Sequence, residues 1–149
     1  MDDTRLRGML RRLLGEQLFA VLATLGERAP HLNIVSFAAA DELRTILFAT
    51  PRQTHKFANL RVHPEVTLFV DNRSNRLRDL QEVQGVEIAG AAAEASGEAA
   101  ERYRELFLAR FPELEGFLDS PGTALMAVRV RRYDVVHRFQ EVLYWEIRR

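Results

Sequence analysis

The 149-residue sequence contains no cysteine, which removes disulfides, thiol redox chemistry, iron–sulfur ligation and cysteine-type zinc sites. It carries no net charge, because 21 basic residues balance 21 acidic ones. Binding nucleic acid by broad phosphate neutralisation needs a basic surplus, so no nucleic-acid partner is expected. No apolar run approaches the length of a membrane-spanning helix, and no basic amphipathic helix of the membrane-surface kind is present. The N-terminus has no apolar signal core, so a cytoplasmic protein without a membrane partner is expected. His31, His55, His63 and His137 show no metal-ligand spacing, and no metal is expected. Lysine is almost missing: 20 of the 21 basic residues are arginine, and Lys56 stands alone.

What is present is ordinary for a soluble globular chain, with 47% hydrophobic and 28% charged residues and enough length for one domain with its own core. Residues 4–17 read as an amphipathic helix, with Leu6, Met9, Leu10, Leu13 and Leu14 on one face and arginines on the other. Strands are predicted at Phe19–Leu25, Pro30–Ala38, Arg44–Thr50, Val66–Val70, Gln84–Ala93 and Thr123–Tyr133. The Val66–Val70 strand is predicted to be buried on both faces. Strand-like pieces at Val135–Phe139 and Leu143–Ile147 end the chain. Ala40-Asp41-Glu42 reads as a turn, and Gly85 and Gly90 as a bulge or a close backbone approach. A helix over Ser96–Arg110 has Ser96 as its cap and Tyr103, Leu106, Phe107 and Phe111 facing inward. Strand follows strand without a βαβ rhythm, so a mainly β (α+β) fold is expected: six or seven antiparallel strands in a small barrel with flanking helices.

The stretch Leu47 to Pro64 concentrates the chemistry. It reads as a strand end, a tight polar turn at Thr50-Pro51-Arg52-Gln53-Thr54, and a short helix from His55 to Val62 capped by Thr54 and stopped by Pro64. The first turn of that helix offers unpaired N–H groups and the positive end of the helix dipole. Arg52, Thr54, His55 and Lys56 surround it. A compact ammonium suits phosphate as a point charge. The same pattern also fits an ordinary capped helix carrying one solvated lysine.

Thr50, Pro51, Arg52, Thr54, Lys56, Asn59, Leu60 and Pro64 form the string T-P-R-x-T-x-K-x-x-N-L-x-x-x-P between two strands. Pro30 to Ser36 precede it and Gly85 to Gly90 follow. This ordered set, over residues 16–139, resembles the pyridoxamine 5′-phosphate oxidase-like family, the split barrels that bind flavin mononucleotide (FMN). The resemblance implies a single FMN-binding domain over residues 1–149, with helix 1–17 packed on the barrel. It implies that Thr54 and Lys56 hold the FMN phosphate, with Arg52 and His55 as neighbours. Ala49 and Thr50 would lie along the ribityl chain and ring. Asn33, Ile34, Val35 and Ser36 would offer backbone groups to the pyrimidine edge. It further implies a homodimer with FMN at the subunit interface, where the loop Asn72, Arg73, Ser74 and Asn75 with Gln84 and Trp145 would complete the site, from the second subunit.

Two departures narrow the activity. The C-terminal segment with which full oxidases hold the vitamin B6 substrate is not found, and His55-Lys56 stands where they have Arg-Lys. FMN binding is thus implied and vitamin B6 oxidation is not. The expected function is a flavin-dependent oxidoreductase acting on a small electron-poor molecule, with no catalytic residue named. The alternatives are a non-catalytic flavin or haem carrier or sensor on the same fold, and a deazaflavin-dependent reductase. Ser36, His31 and Asp41 show no nucleophile-elbow pattern that would make them a triad. Trp145 beside Tyr144 fits packing or a dimer contact as well as flavin stacking. His137 fits a surface or interface position rather than a haem ligand.

Overall fold

The computed structural model describes residues 2–138 and 141–148. The elements run α1 (Asp3–Glu16), β1 (Phe19–Leu25), β2 (Pro30–Ala40), β3 (Thr45–Pro51), α2 (His55–Val62), β4 (Glu65–Asp71), α3 (Asp79–Glu82), β5 (Gln84–Glu94), α4 (Gly97–Arg110), α5 (Glu115–Asp119), β6 (Thr123–His137) and β7 (Glu141–Glu146). The strand order is β3-β2-β1-β4-β5-β6-β7, and β3 also pairs with β6. Every pairing is antiparallel. Six strands therefore close a barrel, and β7 extends β6 beyond it. This is the split-barrel architecture expected from the sequence.

The long β6 explains how a barrel and an extra strand coexist. Thr123–Arg129 pair with β3, and Arg132–His137 pair with β7. The change of partner falls where β5 and β6 slip register at Ala89/Gly90, a bulge that adds local twist. A Cβ at Gly90 would collide with the Arg129 carbonyl oxygen, so only glycine lets the strands approach there. One correction follows: Val135 does not open a separate strand, since β6 runs unbroken to His137. Phe139, the expected end of that piece, lies outside the described residues.

Two cores flank the barrel wall. The inner one gathers Leu22, Phe37, Ile46, Phe48, Leu68, Ile88 and Tyr133 with Leu6, Leu10, Leu13 and Leu14 of α1. The outer one packs Phe107, Phe111 and Leu118 against Ala38, Ala40 and Leu47. Thr45–Phe48 of β3 are accordingly buried on both faces. The expectation of two-sided burial belongs to β3 and not to β4, where Phe69 is 38% exposed, because no described helix covers that side. Ser96 stands at the α4 cap position without making the side-chain bond that would cap it.

The β2–β3 turn is strained and clamped. Asp41, Glu42 and Leu43 all have positive φ, between 52° and 72°. Each such residue costs roughly 1–2 kcal/mol against ordinary backbone. Asp41 offsets this by accepting bonds from Thr45 Oγ1 at 3.1 Å, from the Tyr103 hydroxyl and from the Arg102 guanidinium. The Tyr133 hydroxyl donates to the Leu43 carbonyl at 2.6 Å. Burial alone pushes the Asp41 carboxyl up, but the bonds from Tyr103, Arg102 and Thr45 outweigh it and hold it below its ordinary 3.8. A depressed carboxylate stabilises the fold above its unfolded pKa, and that contribution is lost as pH falls through the lower folded value. Asp41→Asn is therefore expected to be less stable than the native chain at about pH 7, with the gap closing toward about pH 3 in urea titrations. A gap that does not change with pH would refute the role of the Asp41 charge.

Candidate functional site

The turn from β3 into α2 is held from several sides. Pro51 pairs with Thr123 at the end of the barrel-closing ladder. The Arg52 N–H donates to the Gly122 carbonyl at 2.8 Å. The Arg52 guanidinium forks onto the Glu94 carboxylate, and its Nε donates to the Pro121 carbonyl at 3.2 Å. Arg52 in turn holds the Glu94 carboxyl below the usual carboxylate range. Thus Arg52, a residue expected beside the ligand, ties the turn to β5 and to the loop before β6.

Thr54 caps α2 as expected. Its Oγ1 accepts from the Phe57 N–H at 3.2 Å and donates to the Pro51 carbonyl at 2.9 Å. The buried Thr50 hydroxyl lies 3.2 Å from it. Thr54 therefore shapes the turn with its hydroxyl proton already engaged. The N–H groups of His55 and Lys56 have no partner among the described residues, so they remain open to an acceptor. Asn59 donates to Thr24 Oγ1 at 3.1 Å and pins α2 to β1.

These elements frame a hollow of about 520 Å³ lined by His31, Asn33, Gln53, Thr54, His55 and Lys56. His31 and Asn33 lie two apart on β2 and so share one face, the face turned to α2. The His31 and His55 rings are 5.9 Å apart. His31 Nδ1 is buried without a partner. Burial pulls the Lys56 ammonium below its ordinary 10.5, and no carboxylate within ion-pair distance offsets this among the described residues. A half-buried cation beside two open N–H groups and two imidazoles is a donor set suited to a small oxyanion.

The other expected positions lie elsewhere in the chain. Val35 is in the inner core, Ser36 is half-buried, and Ile34 points outward with 74% exposure. Ala49 packs against the outer core. Asn72 is stitched to Gln84, its Oδ1 accepting the Gln84 N–H at 2.8 Å and its own N–H donating to the Gln84 carbonyl at 3.1 Å. Arg73 forks onto Asp71, while Ser74 and Asn75 donate to Asp79. That loop borders a separate hollow of about 400 Å³ walled by Phe69, Leu80, Val83 and Val136. Trp145 stacks on Tyr133, ring centres 5.7 Å apart, with the Arg7 guanidinium 4.6 Å from its ring centre. Within one chain the fold thus gathers Asn33, Thr54, His55 and Lys56, and leaves Asn72–Asn75, Gln84 and Trp145 apart from them. Sequence reasoning missed His31 and Gln53 as lining residues. The signal for His31 was its spacing of two from Asn33 on a strand beside the T-x-K turn.

The pyridoxamine 5′-phosphate oxidase family model matches residues 6–137. The chain belongs to that family. Solved structures with the same fold include the heme binding protein from Mycobacterium smegmatis, with TM-score 0.84 and 18% identity over 94% of this chain. This chain spans 57% of that one. General Stress Protein 26 from Bacillus anthracis str. Sterne matches with TM-score 0.71 and 18% identity, over 96% of this chain and 99% of that one. A FAD-binding protein from Mesorhizobium loti matches with TM-score 0.70 and 13% identity, over 85% and 89%. No curated protein matches the sequence significantly. The family's structural neighbours thus include flavin and haem binders. No helix among the described residues is long and apolar enough to cross a membrane.

The engagement of Arg52 with Glu94 makes a direct prediction. Glu94→Gln should lower the melting temperature slightly and Arg52→Gln at least as much, since it also loses the bond to Pro121. The double variant should add little to Arg52→Gln, because both break the same ion pair. Fully additive shifts would mean that the two side chains do not act as a pair.

Proposed function

We propose that this chain binds FMN and serves as a flavin-dependent oxidoreductase for a small electron-poor molecule. The observation that carries the reading is the half-buried Lys56 ammonium, without a counter-charge among the described residues, at the open first turn of α2. The family match over residues 6–137 supports placing a phosphate there. Lys56 supplies the charge, the N–H groups of His55 and Lys56 supply directed donors, and Thr54 fixes the turn. Asn33 reaches the same hollow from β2. The flavin, when bound, supplies two-electron redox chemistry; the protein orients it and shields it from water.

The second part of the proposal is a homodimer with FMN at the subunit interface. It is supported by apolar side chains on the outer sheet face that no described element covers. Leu32 and Ile34 are 62% and 74% exposed, and Val21 lies beside Ile34 on one side and Phe69 on the other. The Phe69 ring lies over Gly85, where a Cβ would sit 2.7 Å from it. Val136 and Val142 pair across β6 and β7 on the same face. Such a band marks an interaction surface more often than bare solvent. A second subunit is what would bring Asn72–Asn75, Gln84 or Trp145 to a cofactor. A carrier role is the alternative, and an assay with reduced nicotinamide separates the two, since a carrier binds FMN without turnover.

Lys56→Ala should keep the fold and weaken FMN binding about tenfold or more, the loss of one charge-assisted contact, read by fluorescence titration. In the native chain, FMN affinity should fall as pH rises through the Lys56 value, which burial places below 10.5. Unchanged affinity in the variant would remove the phosphate from this turn.

A further inference from the structure

We propose that His31 is a direct phosphate ligand, donating from Nε2, and that it rather than Arg52 is the side chain that partners Lys56 in selecting a phosphate monoester. The inference rests on the flavin reading above and adds a residue outside the T-x-K segment.

Placement comes first. His31 sits opposite Thr24 in the β1–β2 ladder, and Thr24 is the residue to which Asn59 of α2 is bonded. The strand position is thus locked to the helix whose first turn forms the site. His31 lines the same hollow as Lys56, and its ring lies 5.9 Å from that of His55.

Ring chemistry comes second. Nδ1 is buried and has no partner. A proton there would be an orphaned buried donor, which is costlier than an orphaned acceptor lone pair. The ring therefore carries its proton on Nε2. That nitrogen is not among the buried unpartnered atoms and no described protein group bonds it, so it is accessible, on a ring that lines the hollow. The imidazole presents an N–H to an acceptor from outside.

Competition comes third. The Arg52 guanidinium is spent on Glu94 and Pro121. Thr54 Oγ1 has given its proton to Pro51. Among the side chains expected at the phosphate, Lys56 keeps its donors, and His31 adds one from a rigid strand. A terminal phosphate satisfies both at once; a neutral hydroxyl in its place leaves the Lys56 charge unmatched. Discrimination of FMN from riboflavin is the expected outcome of this pairing.

The test is a fluorescence titration of FMN and of riboflavin against the native chain, His31→Phe, His31→Gln and Lys56→Ala. His31→Phe keeps a flat ring and removes the donor; it should weaken FMN about tenfold and leave riboflavin unchanged. His31→Gln, whose amide can place an N–H near the Nε2 position, should stay within about threefold of native. If His31→Phe binds FMN as the native chain does while Lys56→Ala loses it, the His31 assignment falls and the flavin reading stands. If Lys56→Ala also binds normally, the phosphate does not sit at this turn and the His31 assignment falls with it; a native chain that binds no FMN overturns the flavin reading itself. Equal loss of FMN and riboflavin in His31→Phe would make His31 a packing residue and overturn the assignment. Should His31→Phe fail to fold, nitrogen NMR of the native chain decides: adding FMN should move the His31 Nε2 resonance, and an unmoved resonance overturns the proposal.

Discussion

The pairing of β3 with β6 is the contact on which the rest of the structure depends. It converts a twisted sheet into a closed barrel, and it ends at Pro51–Thr123, one residue before the turn that leads into α2. The same closure brings the Pro121-Gly122 loop and Glu94 within reach of Arg52, so the turn is held by the backbone and by an ion pair. β3 is buried on both faces along Thr45-Ile46-Leu47-Phe48, because the closed barrel with α1 fills the inside and α4 covers the outside. Barrel geometry and site geometry therefore share a cause.

The electrostatics of the site follow from what the fold leaves unpaired. In a chain with balanced charge, several arginines find carboxylates, among them Arg52, Arg73, Arg102, Arg104, Arg131 and Arg132. Lys56 is half-buried and has none among the described residues. Its ammonium is destabilised by desolvation, and an incoming dianion relieves that cost. The helix start beside it adds two open N–H groups of the same polarity. A phosphate would suit this environment, since Lys56 and the N–H groups of His55 and Lys56 can donate while Arg52 and the Thr54 hydroxyl are already engaged.

Much of this was legible in the sequence, for identifiable reasons. The strands and α1 were readable because apolar periodicity reports burial directly. The α2 cap was readable because Thr54 before His55–Val62 has one favourable use. Gly90 was readable as a bulge because a strand interior seldom keeps glycine without cause. The contact of Arg52 with Glu94 was not legible, since the two are 42 positions apart and only barrel closure brings them together. His31 was missed as a lining residue because its approach to α2 depends on the barrel, although its spacing of two from Asn33 carried a signal. The continuity of β6 past Tyr133 was hidden because polar Arg131, Arg132 and Asp134 break the alternation exactly where the strand changes partner.

The central claim is that the turn after β3 holds the phosphate of a flavin. The visible absorption spectrum of the purified chain, read together with the mass of whatever denaturation releases, tests it most directly. A two-band flavin spectrum and released FMN are the expected result. A Soret band, or a colourless chain that takes up no added FMN, would contradict it.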